Sequence, residues 1–346
     1  MGLFNNRKSE NGRNFVPVWF MRQAGRYHKH YQNIRKDHDF MSMCKNSDLA
    51  CEITMGPIED FNFDAAILFS DLLFPLEQMN LGLSYKSGPP TLETTLDSLE
   101  KVKNIKLIEK ASTFYNFQKE AVEKLKVALP KDKTLLGFVG APFTLYTYAV
   151  EGAHKGNLIS SKQGLYDGRY EKFFETLFPE LIENMYVQAQ GGADAICLFD
   201  TAAGELCLKD YKNFIIPTIN KITATFKKQF PNTKIVYYSK LTHLDYLREL
   251  EDDNIDVLGI DWRHSLPKVL KEFGSDYYIQ GNIDPVWLHL PWNHLENNLN
   301  ELWNEMSNSN LDLSKWIFGL GHGVLQHTPE ENVKNTVSLI QSKFNY

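Results

Sequence analysis

"AAILFSD", residues 65–71, is an unbroken apolar run that ends on a serine and an aspartate. A strand covered on both faces reads this way, without the polar alternation of a half-exposed one. Seven more runs of the same kind lie along the chain: Val18–Met21, Leu135–Val139, Ala195–Phe199, Ile235–Tyr238, Asp256–Ile260, Tyr277–Gln280 and Trp316–Leu320. Helical periodicity separates them. Residues 170–192 place Phe173, Phe174, Leu177, Leu181, Met185 and Ala189 on one stripe ending at Gly191–Gly192, the pattern of an amphipathic helix with a glycine stop. Residues 103–129, 207–229, 264–273, 293–306 and 329–343 also read as helices, the last with Thr328 as N-cap and Pro329 at its first position.

Eight covered strands alternating with helices predict an α/β protein built as a single (β/α)8, TIM-type barrel over residues 15–346. The span from 72 to 134 is long for one connection. Its turn-rich stretch "MNLGLSYKSGPPTLE" (79–93) is expected to form a hairpin inserted after the second strand. Residues 1–14 read as a frayed polar tail.

Composition narrows the function. Of 346 residues, 43% are hydrophobic and 23% charged, an ordinary globular balance. The net charge of −6 argues against a nucleic-acid surface. No apolar run approaches the ~18 residues of a membrane span, and no apolar signal core is present near the N-terminus. Cysteines 44, 51, 197 and 207 are scattered, as expected of a protein in a reducing compartment, so a cytoplasmic location is expected. Charge is unevenly spread: residues 1–36 hold eight Lys/Arg against one acid, Glu10. An acidic protein with a local basic segment suggests a site for an anion.

Barrel chemistry sits at the C-terminal ends of the strands. Functional groups follow every run: Arg22, Gln23 and Arg26; Ser70 and Asp71; Tyr148; Asp200 and Thr201; Ser239 and Lys240; Asp261 and Trp262; Asn282 and Asp284; and His322 within "GLGHG". Two arginines suit carboxylate or phosphate recognition through their forked donors. The chain lacks GxxxxGK[ST], HExxH, HxC and CxxC, so neither a nucleotide cofactor nor a metal is expected. Lys240 is a weak candidate for Schiff-base chemistry.

These strand ends resemble the uroporphyrinogen decarboxylase family. "PVWFMRQAGRY" (17–27) is similar to one long signature of that family and "GFVGAPFTLYTYAVEG" (137–152) to another. "ILFSDLL", "LFDTAAG", "GIDW", "QGNIDP" and "GLGHG" follow in the family's order. The resemblance implies a cofactor-free, homodimeric barrel enzyme of haem biosynthesis. It would remove CO2 from the four acetate side chains of uroporphyrinogen III to give coproporphyrinogen III. The site carried over by motif is Arg22, Arg26, Asp71, Tyr148, Thr201 and His322, with Gln23 as a further substrate contact. Asp71, Arg22, Tyr148 and His322 would be the catalytic groups. Two positions depart from the family's pattern: Gly319 stands where Asn is usual, and Gln326 lies in a region that often holds Pro.

The chemistry is coherent with those residues. Loss of CO2 from an acetate needs an electron sink, and a pyrrole protonated on a ring carbon is one. A carboxylate aimed at the ring nitrogens would stabilise that cation, and Asp71 is the acid placed for it. The bland alternative for Asp71 is a capping role at the next helix. Two rival functions stand beside this reading. One is a zinc-dependent corrinoid/thiol methyltransferase of the same superfamily, which the missing His-x-Cys disfavours. The other is a non-catalytic tetrapyrrole carrier, which would need the arginines but no buried acid.

Overall fold

A computed structural model describes residues 2–4, 7–8, 14–85, 89–154 and 156–346. Seven parallel strands form one curled sheet in sequence order: β1 (Ala65–Ile67), β2 (Thr134–Gly140), β3 (Ala195–Asp200), β4 (Lys234–Ser239), β5 (Val257–Gly259), β6 (Tyr278–Ile283) and β7 (Trp316–Leu320). All but a few of their residues are buried, which is why the runs carry no polar alternation.

The architecture is that of a TIM-like barrel. One apolar layer lies inside the curl: Trp19, Met21, Ala65, Leu136, Cys197, Val236 and Ile317 belong to it. A larger layer fills the space between sheet and helices. An aspartate just ahead of a strand ties its neighbour in place at three points. Asp64 accepts from Val18 N (2.8 Å), Asp194 from Leu135 N (2.8 Å) and Asp256 from Ile235 N (2.9 Å).

The expected first strand, Val18–Met21, is reduced to one parallel bridge between Val18 and Phe318. The segment still spans the gap between the sheet's two edges, because Asp64 N donates to Val18 O and Trp19 N to Phe318 O. Gln23 ends it. Its backbone N–H donates to Phe20 O, and its side-chain Oε1 accepts from Phe20 N. Both polar groups of Phe20 are thereby drawn into a turn and lost to the ladder.

Three other expectations change. The hairpin after β1 amounts, among the described residues, to a single antiparallel bridge, Ser84↔Thr91. Its surroundings are short helices, Phe74–Gln78, Leu99–Lys103 and Ala111–Phe114, followed by Asn116–Ala128. Pro329 is the N-cap of Glu330–Lys343, not its first helical residue, and Thr328 bonds to His289 instead. Part of the supposed tail is packed. Leu3 is 3% exposed within the inner layer, and its N–H donates to Thr134 Oγ1 at 2.8 Å. Residues 7–8 pair with 14–15; the rest of that segment lies outside the described residues.

Candidate active site

Arg22 follows the Val18 segment in the left-handed backbone region, φ 60°. That conformation is uncommon for a residue with a side chain. Gln23 holds it there: 1% exposed, its Nε2 donates to Ala65 O at 2.9 Å, pinning the turn to β1. The amide is thus engaged by backbone at both ends, and Gln23 acts as a positioning residue for Arg22. The Arg22 side chain is exposed. Among the described residues it forms no ion pair, so its donors face the mouth unspent.

The glycines around His322 make room for neighbours. A Cβ on Gly323 would lie 2.5 Å from Arg22 Cδ, and one on Gly321 would lie 2.5 Å from Trp262 N. "GHG" is therefore a close-packing device that lets the β7 loop touch the Arg22 turn. At Gly319, a Cβ would lie 2.1 Å from Gln280 Nε2. The Gln280 side chain occupies the space beside the missing Asn.

Asp71 follows β1. Its Oδ1 accepts from Leu73 N at 2.6 Å, and its Oδ2 accepts from the Tyr85 hydroxyl. Burial raises its pKa above the usual carboxylate value; the two hydrogen bonds and the Arg22 charge oppose the rise. Asp71 thus holds a capping-type bond and a place in the cleft at once. The Tyr85 ring packs on Phe40 at 4.6 Å, and burial followed by the Asp71 charge holds its hydroxyl proton firmly.

Tyr148 comes from the helix Pro142–Glu151 after β2. Burial raises its pKa, and the Arg22 and Asp71 charges both reach it. His154 packs edge-on to it at 6.4 Å. His322, after β7, lies 6.2 Å from the Tyr238 ring, and its Nδ1 is buried with no hydrogen-bond partner among the described residues. Burial lowers its pKa to about 3, and the positive charges of Arg22 and Lys240, with the coupling to His154, add to the effect. The unliganded imidazole is therefore neutral, not the cation that an ordinary histidine pKa would permit. Beneath the mouth Phe138 packs tilted against Phe199, and Phe199 edge to face against Tyr238, with centroids 5.6 and 6.1 Å apart. They form an apolar floor.

Arg22, Asp71, Tyr148 and His322 are thus brought together. Arg26 is exposed, and its charge acts on Tyr31. Thr201 is half-buried after β3, with no hydrogen-bond partner among the described residues. Its neighbour Asp200 is fully buried, accepting from Thr144 Oγ1 (2.9 Å) and Tyr237 OH (3.1 Å), and burial pushes its carboxyl up to about 6. Sequence reasoning missed Tyr85 and His154. Both come from connections that docking brings to the mouth, and no local pattern marks them. Among the described residues no three His, Cys, Asp or Glu side chains could share a metal ion, and no helix is long and apolar enough to cross a membrane.

A TIM-like barrel with cations and one half-buried acid around an apolar floor defines the class: a barrel protein with a cation-bearing mouth. A sequence model described as "Uroporphyrinogen decarboxylase (URO-D)" matches residues 8–342. A uroporphyrinogen decarboxylase of Helicobacter pylori (strain G27) is 37% identical over 336 residues, covering 95% of both chains. One of Solibacter usitatus (strain Ellin6076) is 34% identical, covering 94% of this chain and 92% of its own. The chain belongs to the uroporphyrinogen decarboxylase family. Among solved structures, a methyltransferase from Methanosarcina mazei is similar with a TM-score of 0.72, over 95% of this chain and 94% of that one, at 16% identity. That likeness is one of fold.

Proposed function

We infer that the mouth carries out the family's carboxy-lyase reaction on uroporphyrinogen III in tetrapyrrole biosynthesis, removing its four acetate carboxyls to give coproporphyrinogen III. The observation that carries this reading is Asp71, a half-buried carboxylate beside Arg22 above an apolar floor. A flat macrocycle rimmed by eight carboxylates suits an aromatic floor and a cationic rim.

The electron path needs no external sink. A proton adds to the pyrrole ring carbon and leaves a cation shared with the ring nitrogen. The C–CO2 bond then breaks, its electron pair flows into the ring, and CO2 departs. The exocyclic carbon takes a proton to become a methyl group, and the ring carbon gives one up. Asp71 acts by charge: each of its oxygens already accepts one donor and has capacity for another, so the pyrrole N–H groups can bind there. Arg22 and Arg26 take substrate carboxylates, and Tyr148 and Thr201 offer hydroxyls to them. The substrate's negative charge offsets the repulsion that adds to burial in keeping His322 neutral, and so eases its protonation. A hollow of 820 Å³ lined in part by Glu251, Asp252, Asp253, Glu272 and Asp276 is too acidic for such a substrate. The reading carries with it the homodimer and the cytoplasmic location that the family implies.

Turnover of uroporphyrinogen under reducing conditions, without added cofactor, tests it. The expected result is stepwise loss of four carboxyls. Binding without any loss would favour the carrier reading.

A further inference from the structure

Arg22 accounts for one side of the mouth. Lys240 follows β4, the middle strand of the sheet, and so stands across the barrel from the Val18 segment. Three observations concern it. Its side chain is half-buried and has no ion pair among the described residues. Its charge is felt by His322 and by His154 at the mouth; Glu205, the acid that also acts on His154, makes no bond to it. Its backbone is held on three sides. Lys240 N donates to Asp200 O at 3.3 Å. Leu241, at φ 66°, donates its N–H to Asp261 Oδ2 at 2.8 Å. Gly204 leaves the space for Lys240 O, where a Cβ would lie 2.2 Å away.

A solvated lysine needs none of this. Asp261 is fully buried and also binds Arg263 through its backbone N–H (2.9 Å) and its Nη1 (2.8 Å). That is a fixed support beneath one flexible side chain. Preorganised placement matters most for a group that must meet a ligand.

We propose that Lys240 is a substrate-binding residue that takes a carboxylate of the tetrapyrrole on the side of the mouth opposite Arg22. The inference rests on the decarboxylase reading for the identity of the ligand. Binding to Arg22 alone would leave the far carboxylates of an octa-anion unmatched. An ammonium carried on a pinned backbone, with no ion pair among the described residues, supplies the second anchor. Asp261 is then a positioning residue, acting through the Lys240–Leu241 turn.

Lys240→Met and Lys240→Arg, assayed beside the wild type for both uroporphyrinogen binding and turnover, test this. Lys240→Met is expected to weaken binding and raise KM by about tenfold or more, with kcat within about threefold. Lys240→Arg, which keeps the charge, is expected to restore KM to within about threefold. Removing the ammonium also lifts one of the charges on His322, so its NMR titration should move to higher pH in Lys240→Met. Lys240→Gln, polar and of similar length, serves if the methionine variant folds poorly. Wild-type affinity in folded Lys240→Met or Lys240→Gln overturns the proposal. A wild type that binds without turnover overturns the decarboxylase reading instead, and the variant affinities still decide the role of Lys240.

Discussion

Asp71→Asn tests the charge at the centre of the site. Asn keeps an oxygen for Leu73 N and turns an amide toward Tyr85, whose hydroxyl can rotate to accept. Shape and hydrogen-bond count survive; the negative charge does not. A ring cation about 4 Å away, at an effective dielectric constant near 20, interacts with that charge by roughly 4 kcal/mol. Deleting one preorganised electrostatic group in other enzymes costs about 10²–10³ in kcat, and the two figures agree. We therefore expect kcat to fall about 10²–10³-fold, by the same order-of-magnitude reasoning. The neutral ground state asks only for hydrogen bonds, so binding should change much less. Asp71→Glu keeps the charge on a longer arm and should recover part of the loss. Burial disfavours the ionised carboxylate, so Asp71→Asn should melt at or above the wild-type temperature. The assay pairs single-turnover decarboxylation with thermal unfolding. A well-folded Asp71→Asn enzyme with near-normal kcat would refute the assigned role.

Arg22→Ala and Arg26→Ala should each fold normally and lose at least about tenfold in kcat/KM, since a charge-assisted hydrogen bond contributes roughly 1.5–3 kcal/mol; unchanged kinetics in both would remove the carboxylate clamp. Activity should survive exhaustive chelation and dialysis, whereas loss with recovery on added zinc would point to methyltransferase-like chemistry. Asp200 predicts a pH effect on stability. Its folded pKa, about 6, lies above the ordinary carboxylate value, so its ionisation opposes folding: the penalty is absent below about pH 4 and grows as pH rises toward 6. Urea unfolding of Asp200→Asn should show a flatter stability curve than the wild type across that window, and parallel curves would contradict the assignment.

The sheet was legible because strands buried on both faces leave nearly pure apolar runs, from "AAILF" to "WIFGL". The rim residues followed, because the strand ends locate the mouth. Val18–Met21 misled because the strand is stopped by a side chain, Gln23, acting on Phe20. Gln23 itself read as a ligand contact, since its spending on Ala65 O is a tertiary fact. Tyr85 reaches Asp71 from a turn-rich stretch whose docking nothing local encodes. The charge state of His322 depends on burial and on two cations, Arg22 and Lys240, contributed by other connections. Leu3 gave no sign of burial, because its partners lie across the inner face of the sheet.

That last placement bears on how the protein is made. Val18 is synthesised well before its bridge partner Phe318, which comes 300 positions later. Leu3 likewise packs in a layer that includes Ile317. The Val18 segment thus has no complete berth until β7 has left the ribosome. Contacts this distant in sequence slow folding and leave the sheet's edges open meanwhile. Truncations short of β7 should therefore be bound by chaperones or aggregate, although nearly every residue of the mouth is already present in them.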